Sequence, residues 1–172
     1  PLDAVAAGVE LHVVRYSVGE AYPAHHDASA TTRRWVTLLL YLSDQDSHDT
    51  VGGHTVFGAQ GGNTDADLRA VCVRALQQSD TSRGSATRPS NSGAPALPLW
   101  AVEGGDRIIG AAYAGERGGG LLWSNYLQGR DTQSGGGSRD DRARHSGCEV
   151  HGGEKWVLNV WVRLSLSFVR LA

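Results

Sequence analysis

The stretch "RWVTLLLYLS" (34–43) is a near-continuous apolar run, bounded by Arg33 and Arg34 on one side and by "DQD" on the other. A run of this length and composition is expected of a strand covered on both faces. A second strong run, "KWVLNVWVRLSLSFV" (155–169), lies near the end of the chain. "ELHVVRY" (10–16) alternates, with His12, Val14 and Tyr16 on one face and Leu11, Val13 and Arg15 on the other. "GGHTVF" (52–57) and "GGLLWSN" (119–125) add further strand candidates. Long helical periodicity is scarce, and 23 glycines punctuate the strands. Short strands divided by Gly-rich turns predict a mostly β sandwich or barrel.

At 172 residues the chain suits one domain spanning 1–172. Such a domain buries about two-thirds of its extended surface. Sixteen basic and 18 acidic side chains leave a net charge of −2, so no basic excess argues for nucleic acid and no acidic tail is present. No apolar run reaches the roughly 18 residues a membrane helix needs. The sequence begins at Pro1 and contains no Met, so it reads as a trimmed piece in which the lack of a signal peptide carries no information. Cys72 and Cys148 allow one disulfide at most.

Residues 58–118 break the strand pattern. They are mostly turn-formers and read as a loop-rich insert. Within them, "DADLRAVCVRALQQ" (65–78) places Leu68, Val71, Cys72, Ala75 and Leu76 at helical spacing, with Asp65 or Thr64 as the cap. This helix is expected to dock on the outside of the barrel. "SDTSRGSATRPSNSGAPALP" (79–98) is poor in apolar residues and reads as a long loop. A second polar stretch, 129–144, leads into His145.

The chemistry begins at "AYPAHHDAS" (21–29). On an extended segment, the i, i+2 spacing of His25 and Asp27 points both side chains one way, and His26 points the other. An imidazole paired with a carboxylate suits Fe(II), Mn(II) or Zn(II). By itself the motif is short, and a solvated polar turn fits it equally. A third ligand would come from elsewhere: His12, His26, His48, His54, His145 and His151 are the choices. On the last strand Lys155, Val157, Asn159 and Trp161 share a face. A Lys pointing into an apolar barrel requires an anion to pair with. A zinc site from Cys72, His145, Cys148 and His151 fits no common spacing. The "GGG" runs precede no phosphate-loop Lys-Ser/Thr pattern.

The blocks "VVRYSVGEAYPAHHD", "RRWVTLLLYLSD", "GGHTVF", "RGGGLLWSN" and "HSGCEVHGGEKWVLNVWVR" stand in an order that resembles the prolyl 4-hydroxylase branch of the Fe(II)- and 2-oxoglutarate-dependent dioxygenases. The resemblance spans roughly two-thirds of the chain. It implies a double-stranded β-helix, or jelly roll. It implies that His25, Asp27 and His145 hold Fe(II) and that Lys155 binds the distal carboxylate of 2-oxoglutarate. Tyr16 and Thr37 would be hydrogen-bonding partners of that cosubstrate, and Trp161 would lie close to its pocket. Tyr22, Arg34 and Arg163 match positions that face a peptide substrate. The implied reaction is hydroxylation of peptidyl proline in a proline-rich chain, coupled to decarboxylation of 2-oxoglutarate to succinate and CO2, using O2 and sustained by ascorbate. The same oxidation of another amino acid or small molecule, and a non-catalytic module binding proline-rich chains, are the alternatives. The resemblance also implies the secretory pathway. The long 58–118 segment departs from the pattern.

Overall fold

In the computed structural model, residues 8–29, 32–45, 50–59, 64–84, 99–104, 106, 108–127 and 138–163 are described. Eleven strands run β1 (Gly8–Tyr16), β2 (Tyr22–His25), β3 (Arg34–Tyr41), β4 (Val51–Gly52), β5 (Thr55–Gly58), β6 (Leu99–Glu103), β7 (Ile108–Tyr113), β8 (Gly120–Ser124), β9 (His145–Gly147), β10 (Val150–Gly152) and β11 (Lys155–Arg163). One helix, α1 (Asp65–Gly84), lies between β5 and β6. The fold is a double-stranded β-helix built from antiparallel pairs.

One sheet has the order β1-β11-β3-β8, and a second has the order β2-β9-β5-β7-β6. A two-stranded pair, β10-β4, completes the set. β11 is central to the first sheet. It pairs with β1 from Tyr16↔Lys155 to Gly8↔Arg163, and with β3 from Tyr41↔Val157 to Arg34↔Arg163. Side chains at alternate positions therefore share the inner face. Buried Leu39, Tyr41 and Val157 meet Tyr113 of β7 there, with Val14, Tyr16, Leu121 and Trp123 packed around them.

A second core lies on the far side of the β2-containing sheet. Leu68, Val71 and Ala75 of α1 pack against Val56 of β5, Val102 of β6, Ala112 of β7 and Cys148. The helix thus docks through the face its spacing predicts. Thr64 caps it, since the Asp67 amide donates to the Thr64 hydroxyl and the Thr64 amide donates to the Asp67 carboxylate. Cys72 and Cys148 form a disulfide that ties this face to the segment after β9.

The structure corrects four expectations. Residues 58–118 are not chiefly loop, because β6 and β7 within them are ladder strands of the larger sheet. α1 continues to Gly84, past the expected start of a loop at 79, and residues 85–98 lie outside the described set. "GGHTVF" is not one strand. Gly52 and Gly53 take φ values of +78° and +69°, so the chain leaves β4 and enters β5 in a different sheet. Only glycine suits Gly52, since a Cβ there would sit 2.4 Å from the Glu149 carbonyl oxygen. Finally, β3 is covered on one face only. Thr37, Leu39 and Tyr41 are buried, whereas Val36, Leu38 and Leu40 on the opposite face are half-buried. The strand continuation over 164–169 and the candidate His48 also lie outside the described residues.

Candidate metal and cosubstrate site

His25 ends β2 and His145 begins β9, and the two are direct partners across that antiparallel pair. Their rings stand 4.2 Å apart. Asp27 follows two residues after His25 and is 5 % exposed. The ligand-capable atoms of His25, Asp27 and His145 all lie within 4.8 Å of one another. Local pairing thus supplies two imidazoles, and the turn after β2 supplies the carboxylate. His26 points away, with its Nε2 3.8 Å from Asp141 Oδ1.

The histidine tautomers follow from their partners. His25 Nδ1 lies 2.9 Å from the Pro23 carbonyl, and His145 Nδ1 lies 2.9 Å from the Ala143 carbonyl. A carbonyl oxygen only accepts, so each Nδ1 carries the proton and donates it. Each Nε2 is then the ring nitrogen turned to Asp27: His25 Nε2 is 3.5 Å from Oδ1 and His145 Nε2 is 3.7 Å from Oδ2. Burial pushes the His145 pKa down to about 4, so its ring is neutral at neutral pH. Burial acts to raise the Asp27 pKa, but the neighbouring His25 and His145 and the Thr37 hydroxyl outweigh it and hold the carboxyl below its usual range. Two imidazoles and one carboxylate on one side of a space form a facial donor set with open positions, which fits Fe(II).

Lys155 opens β11 on the inner face and is 3 % exposed. Its ammonium donates to the Gly53 carbonyl at 2.7 Å and to the Thr55 hydroxyl at 3.4 Å. The rings of Tyr16 and Tyr41 each stand 5.5 Å from Nζ. No carboxylate is paired with it among the described residues, and burial pushes its pKa down to about 7. Nζ lies 3.9 Å from where a Cβ on Gly147 would be, two residues along β9 from His145. Two residues of strand are roughly 6.6 Å. A buried cation therefore stands one short step from the donor set, as a dicarboxylate spanning the two would require.

The other residues singled out from sequence fall in different places. Thr37 is fully buried and donates to Asp27 Oδ2 at 2.7 Å, so it supports the carboxylate. Tyr22 packs its ring 4.3 Å from His25 and is partly exposed. Arg34 and Arg163 both bind Glu10 at 2.6 Å. The Arg34 guanidinium stacks over Trp161 at 3.6 Å. Trp161 thus belongs to this cluster at the end of β11 opposite Lys155. These bonds, above all that from Arg34, hold the Glu10 carboxyl down at about 2.

Tyr41 and Thr55 were not found from sequence. The Tyr41 hydroxyl lies 2.5 Å from Thr55 Oγ1, which in turn contacts Lys155. Tyr41 was hidden inside the apolar run of β3. The available signal was its hydroxyl: a fully buried tyrosine requires a polar partner.

The sequence model for the 2OG-Fe(II) oxygenase superfamily matches residues 11–163. The human "Transmembrane prolyl 4-hydroxylase" is 28% identical over 183 residues, covering 94% of this chain and 31% of its own length. "Prolyl 4-hydroxylase 1" of Arabidopsis thaliana is 30% identical over 163 residues, covering 91% of this chain and 41% of its own length. The chain therefore spans well under half of these relatives. Among solved structures, the viral collagen prolyl hydroxylase of Paramecium Bursaria Chlorella virus-1 in its 2OG complex aligns with a TM-score of 0.50 at 17% identity, covering 93% of this chain and 62% of that one. At that identity the likeness is one of fold.

Proposed function

Because the chain belongs to the 2OG-Fe(II) oxygenase superfamily, we propose that it hydroxylates peptidyl proline in a proline-rich protein, with 2-oxoglutarate decarboxylated to succinate and CO2. The observation that carries this reading is the convergence of His25, Asp27 and His145 within 4.8 Å, beside a buried, carboxylate-free Lys155. Family membership implies Fe(II), 2-oxoglutarate and O2. Ascorbate would keep the iron ferrous. The prolyl 4-hydroxylases among the relatives support proline as the target, and the secretory pathway is the setting that the resemblance implies. Among the described residues, no helix is long and apolar enough to cross a membrane.

Bound to this donor set, ferrous iron with its cosubstrate and O2 supplies the oxidising power that hydroxylates a C–H bond. The chain's own residues do the rest. His25 and His145 present Nε2 because their Nδ1–H groups are committed to backbone carbonyls. Lys155 meets the distal carboxylate, and Tyr41, Thr55 and Tyr16 line its approach. Phe57 and Trp123 wall His145, with ring centroids 5.6 and 4.8 Å away, and keep water from that side.

The substrate would enter past Tyr22 and the Glu10–Arg34–Arg163 cluster. Trp161 Nε1 and Arg163 Nε are buried donors without a partner among the described residues. Both sit on one face of β11. Backbone carbonyls of an extended polyproline II chain, which offers acceptors but no proline N–H, complement such donors.

The test is 2-oxoglutarate turnover with a panel of proline-rich peptides. Succinate release stimulated by peptide, with hydroxyproline found in the product, is expected. Stimulation by another amino acid or a small molecule, and not by proline peptides, would reassign the substrate. Peptide binding without any turnover in the iron-loaded protein would overturn the enzymatic reading.

A further inference from the structure

Behind Asp27, three side chains join in a line through an otherwise apolar wall. Trp123 Nε1 donates to Asn125 Oδ1 at 3.0 Å, Asn125 Nδ2 donates to Thr37 Oγ1 at 2.8 Å, and Thr37 Oγ1 donates to Asp27 Oδ2 at 2.7 Å. Thr37 is 0 % and Asn125 1 % exposed. The direction of the line is fixed by elementary donor counting. An indole N–H can only donate, so it holds the Asn125 oxygen toward Trp123 and turns the amide NH2 toward Thr37. The Thr37 oxygen, already accepting from that NH2, has one proton, and it goes to Asp27. Reversing any link would set donor against donor in a buried site.

The same indole also touches a second member of the donor set, because the Trp123 ring meets the His145 ring edge-on at 4.8 Å. One residue of β8 therefore packs directly on His145 and reaches Asp27 through Asn125 and Thr37.

We propose that Asn125, acting through Thr37, is a positioning residue that anchors Asp27 Oδ2 and fixes the orientation of the carboxylate between the two imidazoles. Trp123 sets the polarity of the relay. This rests on reading His25, Asp27 and His145 as the metal centre. The carboxylate is thereby held against rotation beside the two imidazoles, so the relay supports both the affinity of the site and its geometry.

The experiment titrates the metal-free protein with Co(II) and follows the visible absorption bands of the bound ion. Thr37→Val keeps the shape of the side chain and deletes the last link. Asn125→Ala frees the Thr37 hydroxyl to rotate. Both are expected to weaken Co(II) binding by about 10–100-fold and to shift the bands, the usual consequence of losing a partner of a metal ligand. Thr37→Ser restores the hydroxyl and is expected to stay close to wild type. A thermal melt of each metal-free variant reports folding separately. If the first two variants do not fold, Trp123→Phe serves: it removes the indole N–H, keeps an aromatic ring beside His145, and is expected to shift the bands. Wild-type affinity and spectrum in folded Thr37→Val, or in Trp123→Phe, would overturn the relay. Failure of the wild-type protein to bind Co(II) would instead overturn the metal centre itself.

Discussion

Lys155 is the residue whose environment says most about the pocket. Its pKa falls from 10.5 to about 7 through burial alone. The sign follows from proton counting. Between about pH 7 and 10.5 the unfolded chain holds a proton that the folded, ligand-free chain has released, so this group makes stability rise with pH across that window. A carboxylate beside Nζ reverses the preference and restores the ammonium. Binding of 2-oxoglutarate above pH 7 is therefore expected to take up a proton, and affinity is expected to weaken as pH rises. Calorimetry in two buffers of different ionisation enthalpy measures the uptake. Lys155→Ala should abolish it and raise the 2-oxoglutarate requirement strongly, while Lys155→Arg should rescue only in part. Proton uptake unchanged in Lys155→Ala would assign the titration elsewhere. His26 offers the contrasting case. Its side chain points at Asp141, away from Asp27. His26→Ala should therefore retain Co(II) binding in the same titration that loses it in His25→Ala; equal loss in both would make His26 a ligand.

At the scale of elements, α1 and β9 share a fate. β9 carries His145 over only three residues, and Cys148 follows it directly. The disulfide to Cys72 closes a sequence separation of 76 residues and clamps that segment onto the helix. Arg144, on the other side of His145, binds Asp65 at the start of α1. The short strand that carries His145 is thus held by the helix at both ends. Reduction, or paired Cys72→Ser and Cys148→Ser substitution, is expected to cost about 2–4 kcal/mol of stability. Thermal melts with and without reductant measure it, and a melting temperature unmoved by reductant would show that the bond contributes little. These elements also show what was legible in the sequence. α1 was, because Leu68, Val71, Cys72 and Ala75 repeat at helical spacing. β6 and β7 were not. "IIGAAY" is built from small residues because α1 lies close: a Cβ on Gly110 would sit 2.7 Å from Val71. Small residues chosen for close approach read locally as turn. β9 and β10 are three residues each, too short to show a period of two. Alternation put His25 and Asp27 on one side of an extended segment and Lys155 on one face of its strand, while their roles came from the resemblance. Tyr41, Thr55 and Asn125 were not, because their roles depend on which strands become neighbours.

At the scale of the molecule, the first sheet has two unlike faces. Its inner face carries Lys155, Thr37 and Tyr41 and faces the sheet that holds His25 and His145. Its outer face is apolar in consecutive rows across the strands: Val9, Val162 and Val36, then Leu11, Val160, Leu38 and Leu122, then Val13, Leu158 and Leu40. On the edge strands these side chains are open, with Val9, Leu11 and Val13 between 60% and 63% exposed and Leu122 70% exposed. Strands of nine, nine, eight and five residues, at about 3.3 Å rise and about 4.8 Å spacing, give a face of roughly 490 Å². That lies within the range for the largest apolar patch of an ordinary monomer, about 300–600 Å². Apolar surface of this extent drives association by the same term that builds a core, roughly 25 cal/mol per Å² removed from water. The 172-residue chain is therefore expected to bind a dye that fluoresces on apolar surfaces and to scatter light increasingly with concentration. Leu11→Lys combined with Leu122→Glu should reduce both signals, since each places a charge in an exposed row. The inner face is a separate layer of side chains, so Co(II) affinity should not change. Dye binding that persists undiminished in the double variant would show that the apolar surface responsible lies elsewhere. A loss of Co(II) affinity would show that the two faces are coupled through β3, whose alternate residues face both ways.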